Sequence, residues 1–231
     1  KKQRLFNYIL TEKDYVSGGP TNNAGSVFEW FAKQFGDFKK AFELEDCMEN
    51  LIEDAGRVPP GAAGLIFLPY LQGERAPIWN ANAKGVYFGL NIKHERRHFI
   101  RATIEGILYA FFSIGKTLEE HRSFKSLSAN GTFASYPFWT QMMADIFNKP
   151  VHIKPGWGSD SVAFGSFLLS ATEIGLYKNL HEAAQSVKLP DSFLPQTQNH
   201  NIYMKHYGIF EKLSVKLFDE FEAIADLQQD D

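Results

Sequence analysis

Four stretches of this 231-residue chain combine residue types and spacings suited to binding or catalysis. The first, Ser17-Gly18-Gly19-Pro20-Thr21-Asn22-Asn23-Ala24-Gly25, puts small residues where a strand gives way to a helix. Glycines let backbone come close to a ligand, and the helix after them aims free N–H groups and a partial positive charge at an anion. The same residues also make an ordinary tight connection. The second, Asn130-Gly131-Thr132-Phe133-Ala134-Ser135, has the same logic, with Ser135 expected as N-cap and Pro137 in the first helical turn, where proline is tolerated. The third, His94-Glu95-Arg96-Arg97-His98, is formally H-E-x-x-H, which on a helix sets two imidazoles on one face for zinc with the glutamate as base. Against that metalloprotease reading, Lys93, Arg96, Arg97 and Arg101 crowd the same end with positive charge. A third ligand from Glu119 or Glu120 would sit about 31 to 33 Å further along the helix. A solvated helix start holding no metal is the expectation. The fourth, Ala110-Phe111-Phe112-Ser113-Ile114-Gly115-Lys116-Thr117, is a P-loop pattern without its first glycine. A working P-loop is a turn after a strand, whereas these residues continue an apolar helical face whose N–H groups are already spent.

Hydrophobic periodicity predicts the strands and helices that carry these stretches. Leu5-Phe6-Asn7-Tyr8-Ile9-Leu10 and Tyr15-Val16-Ser17, separated by polar Thr11-Glu12-Lys13-Asp14, predict a hairpin. Val27, Phe28, Phe31 and Phe35 then recur at helical spacing, with Thr21 or Asn22 expected as the cap. A short helix is expected over 46–56, strands at 65–68 and 85–90 with a long loop over 69–84 between them, and a central amphipathic helix from about Lys93 to His121. On that helix Phe99, Ile100, Thr103, Ile104, Ile107, Leu108 and Phe111 share one face. A βαβα alternation comes next, with strands at 126–129 and 151–153 and helices at 135–147 and 161–174, which implies strands covered by crossover helices. A short helix near 180–187 leads through a Pro, Asn and Gln rich stretch to a last helix from about Tyr203 to Leu227, striped by Tyr207, Phe210, Leu213, Leu217, Phe221 and Ile224. The order predicts an α/β class with a mixed sheet flanked by helices, resembling the ribonuclease-H-like unit of the actin, hexokinase and heat-shock ATPase group.

Composition narrows the function classes. With 44% hydrophobic and 15% aromatic residues the chain can close a real core. A net charge of −3 supplies no clustered basic surface for nucleic acid or an anionic membrane. Cys47 is the only cysteine, so neither a disulfide framework nor a cysteine zinc site can be built, and a reducing cytoplasm is the natural compartment. No run approaches the roughly 18 apolar residues of a membrane span. The chain begins with Lys1 rather than an initiator Met, which suggests a piece of something longer.

Gly85-Val86-Tyr87-Phe88-Gly89-Leu90, followed after seven residues by His98-Phe99-Ile100-Arg101-Ala102-Thr103-Ile104-Glu105, resembles the second signature of the FGGY carbohydrate kinases. Leu68-Pro69-Tyr70-Leu71-Gln72-Gly73-Glu74-Arg75-Ala76-Pro77 is similar to the Pro-Tyr-Leu-x-Gly-Glu-Arg-x-Pro loop of their xylulose and gluconate kinase branch, and Trp139-Thr140-Gln141-Met142-Met143-Ala144-Asp145-Ile146-Phe147 continues the match. The resemblance covers nearly the whole chain and reads residues 1–231 as the second, C-terminal domain of such a kinase. It implies transfer of a phosphoryl group from MgATP to a sugar or sugar acid, with D-gluconate expected ahead of a pentulose such as xylulose. It further implies an N-terminal sugar-binding domain as partner, with the first phosphate loop, the catalytic aspartate and a Gly-Thr phosphate turn lying ahead of residue 1. The chain by itself is then expected to hold nucleotide without catalysing transfer, and a homodimer is left open. By position, Gly25 and Glu29 look like nucleotide contacts at the first helix, and Gly131, Thr132 and Tyr136 fall at the adenosine-side turn. The sequence departs from the family there, with Gly-Thr for the usual Gly-Gly and a tyrosine where Asn is common, which adds bulk where backbone should approach the base or ribose. Glu74 and Arg75 are expected to form an ion pair at the cleft edge or to serve structure alone. A non-catalytic, ATP-responsive actin-like scaffold stays open as an alternative of another class.

Overall fold

The computed structural model describes residues 4–36, 44–153, 160–187 and 191–229. Its contacts divide the chain into two compact units, residues 1–124 with 197–231, and residues 125–196.

The first unit opens on the expected hairpin, β1 (Phe6–Ile9) paired antiparallel with β2 (Tyr15–Gly18). The turn closes where the Thr11 hydroxyl accepts the Asp14 N–H at 3.1 Å and donates to its carboxylate. Helix α1 (Gly25–Phe35) comes next, then α2 (Leu44–Gly56), each burying its apolar stripe, with Val27, Phe28 and Phe31 on the first and Met48, Leu51 and Ile52 on the second. Strands β3 (Ile66–Pro69) and β4 (Gly85–Phe88) form a second antiparallel ladder that brackets the long loop. Helix α3 (Arg96–Glu119) packs on β3 so closely that a Cβ at Gly106 would lie 2.3 Å from the Phe67 carbonyl oxygen. The expected single apolar face on this helix is corrected, because every residue from Ile100 to Ala110 is buried, Arg101 and Glu105 included. A helix surrounded by other elements has no solvent face to keep polar.

The last helix also differs from expectation. It starts earlier and divides at Leu217 into α7 (Thr197–Lys216) and α8 (Phe218–Gln229). Hydrogen bonds from Leu217 N to Leu213 O and from Phe221 N to Leu217 O carry the ladder through the join. The join shifts the buried face: Phe221 and Ala225 are buried, while Ile224 is 41% exposed.

The second unit holds the expected parallel pair, β5 (Leu127–Ser128) with β6 (Val151–Ile153), joined by α4 (Pro137–Phe147). Helices α5 (Asp160–Glu173) and α6 (Leu180–Gln185) succeed it. Asn179 caps α6, its side chain accepting the Glu182 N–H. A third strand, β7 (Asp191–Phe193), lies antiparallel to β6 inside the stretch read from sequence as a Pro, Asn and Gln rich connection. Three residues are too few for alternation to show. The fold class is therefore α/β as expected, but among the described residues the mixed sheet is the three-stranded β5-β6-β7, with β1-β2 and β3-β4 as separate ladders.

Candidate functional site

In the first unit the candidates Gly25 and Glu29 occupy the first and fifth positions of α1, one turn apart on one face. Glu29 is exposed. The residue preceding the helix is Ala24, no side chain caps it, and its first turn carries no acidic residue. Such an end presents N–H groups and partial positive charge, which suits a phosphate.

Thr21 and Asn22, expected as caps, are used elsewhere. Glu74, 3% exposed, lies in the loop between β3 and β4 and draws the 21–23 turn onto its carboxylate. Its Oε2 accepts from Thr21 Oγ1 at 2.9 Å and Asn23 Nδ2 at 3.2 Å, and its Oε1 from Asn22 N at 3.2 Å and Arg75 N at 2.7 Å. Asn23, itself buried, also donates to the Gly73 carbonyl at 2.6 Å, and Ala76 N donates to Pro20 O at 2.9 Å. Burial pushes the Glu74 carboxyl above the usual range, and these four donors pull it back. The expected Glu74–Arg75 ion pair is thus corrected: among the described residues Glu74 takes Arg75's backbone N–H, and the exposed guanidinium is not its partner. Gly18 and Gly19 before the turn also face other parts of this unit, Gly18 the Phe6 ring at 3.1 Å from where a Cβ would stand. A Cβ at Gly19 would sit 2.8 Å from Ile114 Cγ2 and 2.9 Å from Ala76 Cβ, so the close approach Gly19 permits is to α3 and the long loop.

In the second unit Gly131 has φ +91° with open space where a Cβ would point, so glycine is there for its backbone. Thr132 begins a 3-10 turn, Thr132–Ser135. Tyr136, half-buried, is the N-cap of α4 with Pro137 in the first turn, which moves the expected cap one residue on from Ser135. Asp145 on the same helix is buried and accepts from Gln141 Nε2 and Gln196 N, both at 2.8 Å, tying α4 to the segment after β7.

The H-E-x-x-H stretch is a helix start, as expected. His94 lies outside α3, and its Nδ1 accepts Asn91 N–H at 3.0 Å while Nε2 lies 3.2 Å from Ala63 O. His98 Nδ1 accepts the Glu95 N–H at 3.0 Å, and Glu95 pairs with Arg97. A ring nitrogen that accepts leaves the proton on the other, so neither imidazole aims a free lone pair at a shared point. Among the described residues no group of three or more His, Cys, Asp or Glu could hold a metal ion, and no helix is long and apolar enough to cross a membrane. The P-loop-like stretch is continuous α3.

The signature residues turn out to build the core. Arg101 Nε donates to Glu105 Oε1 at 2.7 Å, Nη1 to Val58 O at 3.0 Å, and Nη2 to the Tyr203 hydroxyl, while Glu105 Oε1 accepts Gly61 N at 2.9 Å. Tyr87 stacks on Phe67 and shares a 2.6 Å hydrogen bond with Thr103. Sequence reasoning missed this network and the 21–23 clamp. An Arg–Glu pair four residues apart within an apolar helical run was the available signal for the first. A cavity of about 1250 Å³ between the hairpin and the end of α3, lined by Arg4, Asn7, Tyr15, Ser17, Thr117 and Arg122 among others, includes none of the five nucleotide candidates.

This architecture is that of the actin/hexokinase-like ATPases. Superposition on gluconate kinase from Lactobacillus acidophilus gives a TM-score of 0.83 at 30% identity, covering 96% of this chain and 44% of that one. Xylulose kinase from Rhodospirillum rubrum gives 0.81 at 28% identity, covering 96% and 44%. In sequence the chain is 35% identical to the gluconokinase of Bacillus licheniformis over 99% of its own length and 45% of the relative's. It is 32% identical to a xylulose kinase of Staphylococcus epidermidis over 90% and 40%. Residues 4–174 match the FGGY family of carbohydrate kinases, C-terminal domain, and the chain belongs to that family. It spans about half the length of the curated relatives it matches.

Proposed function

We propose that residues 1–231 form the C-terminal, nucleotide-holding domain of an ATP-dependent carbohydrate kinase whose acceptor is D-gluconate. The observation that carries this reading is the start of α1, where a helix behind a clamped turn is left without a side-chain cap. The N–H groups around Gly25 suit a phosphate, and the Glu29 carboxylate, one turn on, suits a ribose hydroxyl rather than the phosphate itself. Gly131, Thr132 and Tyr136 would take the adenosine side. Mg²⁺ would arrive on the ATP phosphates, and supplies charge neutralisation at the transferring group. Deprotonation of the sugar hydroxyl is assigned to an aspartate of the N-terminal domain of the same kinase, so this chain binds and orients without moving a proton. Closure of the two domains on both substrates in the cytoplasm would exclude water and suppress hydrolysis of ATP.

Gluconate is placed first because the gluconokinase match spans more of the chain, at higher identity, than the xylulose kinase match. The test is to join this chain to the N-terminal half of a gluconokinase relative and assay ADP release against gluconate, xylulose, ribulose and glycerol. Gluconate is expected to turn over fastest and this chain alone not at all. Turnover with xylulose only would reassign the acceptor. Nucleotide binding without turnover on any sugar would favour an ATP-responsive scaffold.

A further inference from the structure

The geometry points to a separate binding site in the first unit, a polar cleft between the long loop, α3 and α7 that takes a neutral polyhydroxylated molecule of monosaccharide size, such as a sugar alcohol. The cleft has a volume of about 260 Å³, and none of the five nucleotide candidates lines it. That is just under the roughly 300 Å³ at which pockets for drug-sized ligands begin, so it suits a smaller molecule. Hydroxyls of the buried residues Tyr70, Thr117, Tyr207 and Ser214 line it, with half-buried Ser113 beside them. Two exposed ion pairs, Lys116 with Glu211 and Arg4 with Glu120, complete the polar lining, and Ala76, Ala110 and Val215 add apolar wall. A few placed polar groups on an apolar wall are what small-ligand sites are made of.

The hydroxyls are held by bonds that a ligand can replace. Ser113, Thr117 and Ser214 donate to carbonyls four residues back in their own helices, those of Tyr109, Ser113 and Phe210, each at 2.9 Å. Such carbonyls also serve the helix ladder, so each hydroxyl can turn to a ligand oxygen without orphaning its acceptor. Because Ser214 spends its proton on Phe210, the Tyr70 phenol donates to Ser214 at 2.8 Å and keeps its own lone pairs for a ligand's donor. Glu211 takes Lys116 and the Tyr207 hydroxyl on Oε1, while its Oε2 takes no hydrogen bond among the described residues. Donors and acceptors are therefore both on offer, which matches hydroxyls, since each gives and takes.

Charge decides against an anion. Both cations, Arg4 and Lys116, are spent on glutamates, and buried Glu74 adds a third carboxyl group to the lining. A phosphate or a sugar-acid carboxylate would meet no unspent positive charge, and a neutral polyol needs none. The inference thus stands apart from the kinase reading, which concerns an anionic acceptor and the start of α1.

The test is a nuclear magnetic resonance titration of the isotope-labelled chain with sorbitol, and with gluconate as its anionic counterpart on the same carbon skeleton, for wild type, Thr117→Val, Val215→Phe and Glu211→Gln. Sorbitol should shift the amides of Ser113, Thr117, Tyr207 and Ser214 saturably, with a dissociation constant in the millimolar range. Gluconate should bind at least about threefold more weakly, and Glu211→Gln, which removes one carboxylate, should narrow that gap. Thr117→Val removes a hydroxyl at constant shape and should weaken sorbitol about threefold. Val215→Phe, at a lining position that is 62% exposed, crowds the cleft from its solvent side and should abolish the shifts. Since that position is exposed, this variant decides even if Thr117→Val does not fold. No saturable shift in wild type at about 100 mM sorbitol overturns the inference and leaves the cleft to water. Gluconate binding more tightly than sorbitol overturns it too, as do shifts that Val215→Phe leaves unchanged. None of these outcomes bears on ADP release by the joined kinase, which judges the functional reading separately.

Discussion

Glu29 and His98 carry opposite expectations, the first for binding and the second for folding. Glu29 is exposed on α1, so Glu29→Ala should change stability by no more than about 0.5 kcal/mol while lowering nucleotide affinity. Urea unfolding read beside an MgADP titration checks both, and an affinity equal to wild type would remove Glu29 from the site. His98 accepts the Glu95 N–H at the start of α3, which makes it a cap rather than a ligand. His98→Ala should therefore cost about 1 kcal/mol of stability, and the loss should be the same with or without a metal chelator. H-E-x-x-H matched by spelling, but chemistry needs both histidines inside the helix, and α3 begins at Arg96.

At the scale of elements, α3 decides most. Gly106 lets β3 cross it, and Arg101 with Glu105 ties it to Gly61, to the carbonyl of Val58 after α2 and to Tyr203 of α7. Both charges are nearly without exposure, at 3% and 2%. Removing one partner of such a pair leaves a buried charge, so Glu105→Leu should destabilise by about 3–5 kcal/mol in urea unfolding. Joining it to Arg101→Met should recover much of that loss, because two apolar side chains of similar size need no counter-charge. A double variant no better than the single would mean that the ties from Arg101 to Val58 and Tyr203 matter more than the pair. The one-sided stripe read for this helix failed for the same reason that its signature is informative. An element packed on every side is constrained at almost every position.

For the molecule as a whole, burial governs the alkaline limit. Tyr70, Tyr87, Tyr109 and Tyr207 all have their phenols pushed above the ordinary value of 10.0, chiefly by burial. The folded chain keeps protons that the unfolded chain releases, so stability present below pH 10 falls as pH rises beyond it. The tyrosinate absorbance of these four should then appear only together with unfolding. Ionisation of these four ahead of unfolding, followed by circular dichroism, would show that the packing around them is open. Sequence by itself determined the family, through the glycine-framed strand and its spacing to α3, and the order of most elements, because hydrophobic period is a local property. It also placed helix starts within a few residues of Gly25 and Pro137. Tertiary structure alone decided that Thr21, Asn22 and Asn23 bind Glu74 instead of capping α1, that Arg101 and Glu105 lie in the core, and that residues 191–193 join a sheet. Each of these depends on a partner more than 30 residues away in the chain or on burial from several sides. A polar side chain's choice among donors and acceptors is settled only when the fold brings those partners within hydrogen-bond distance.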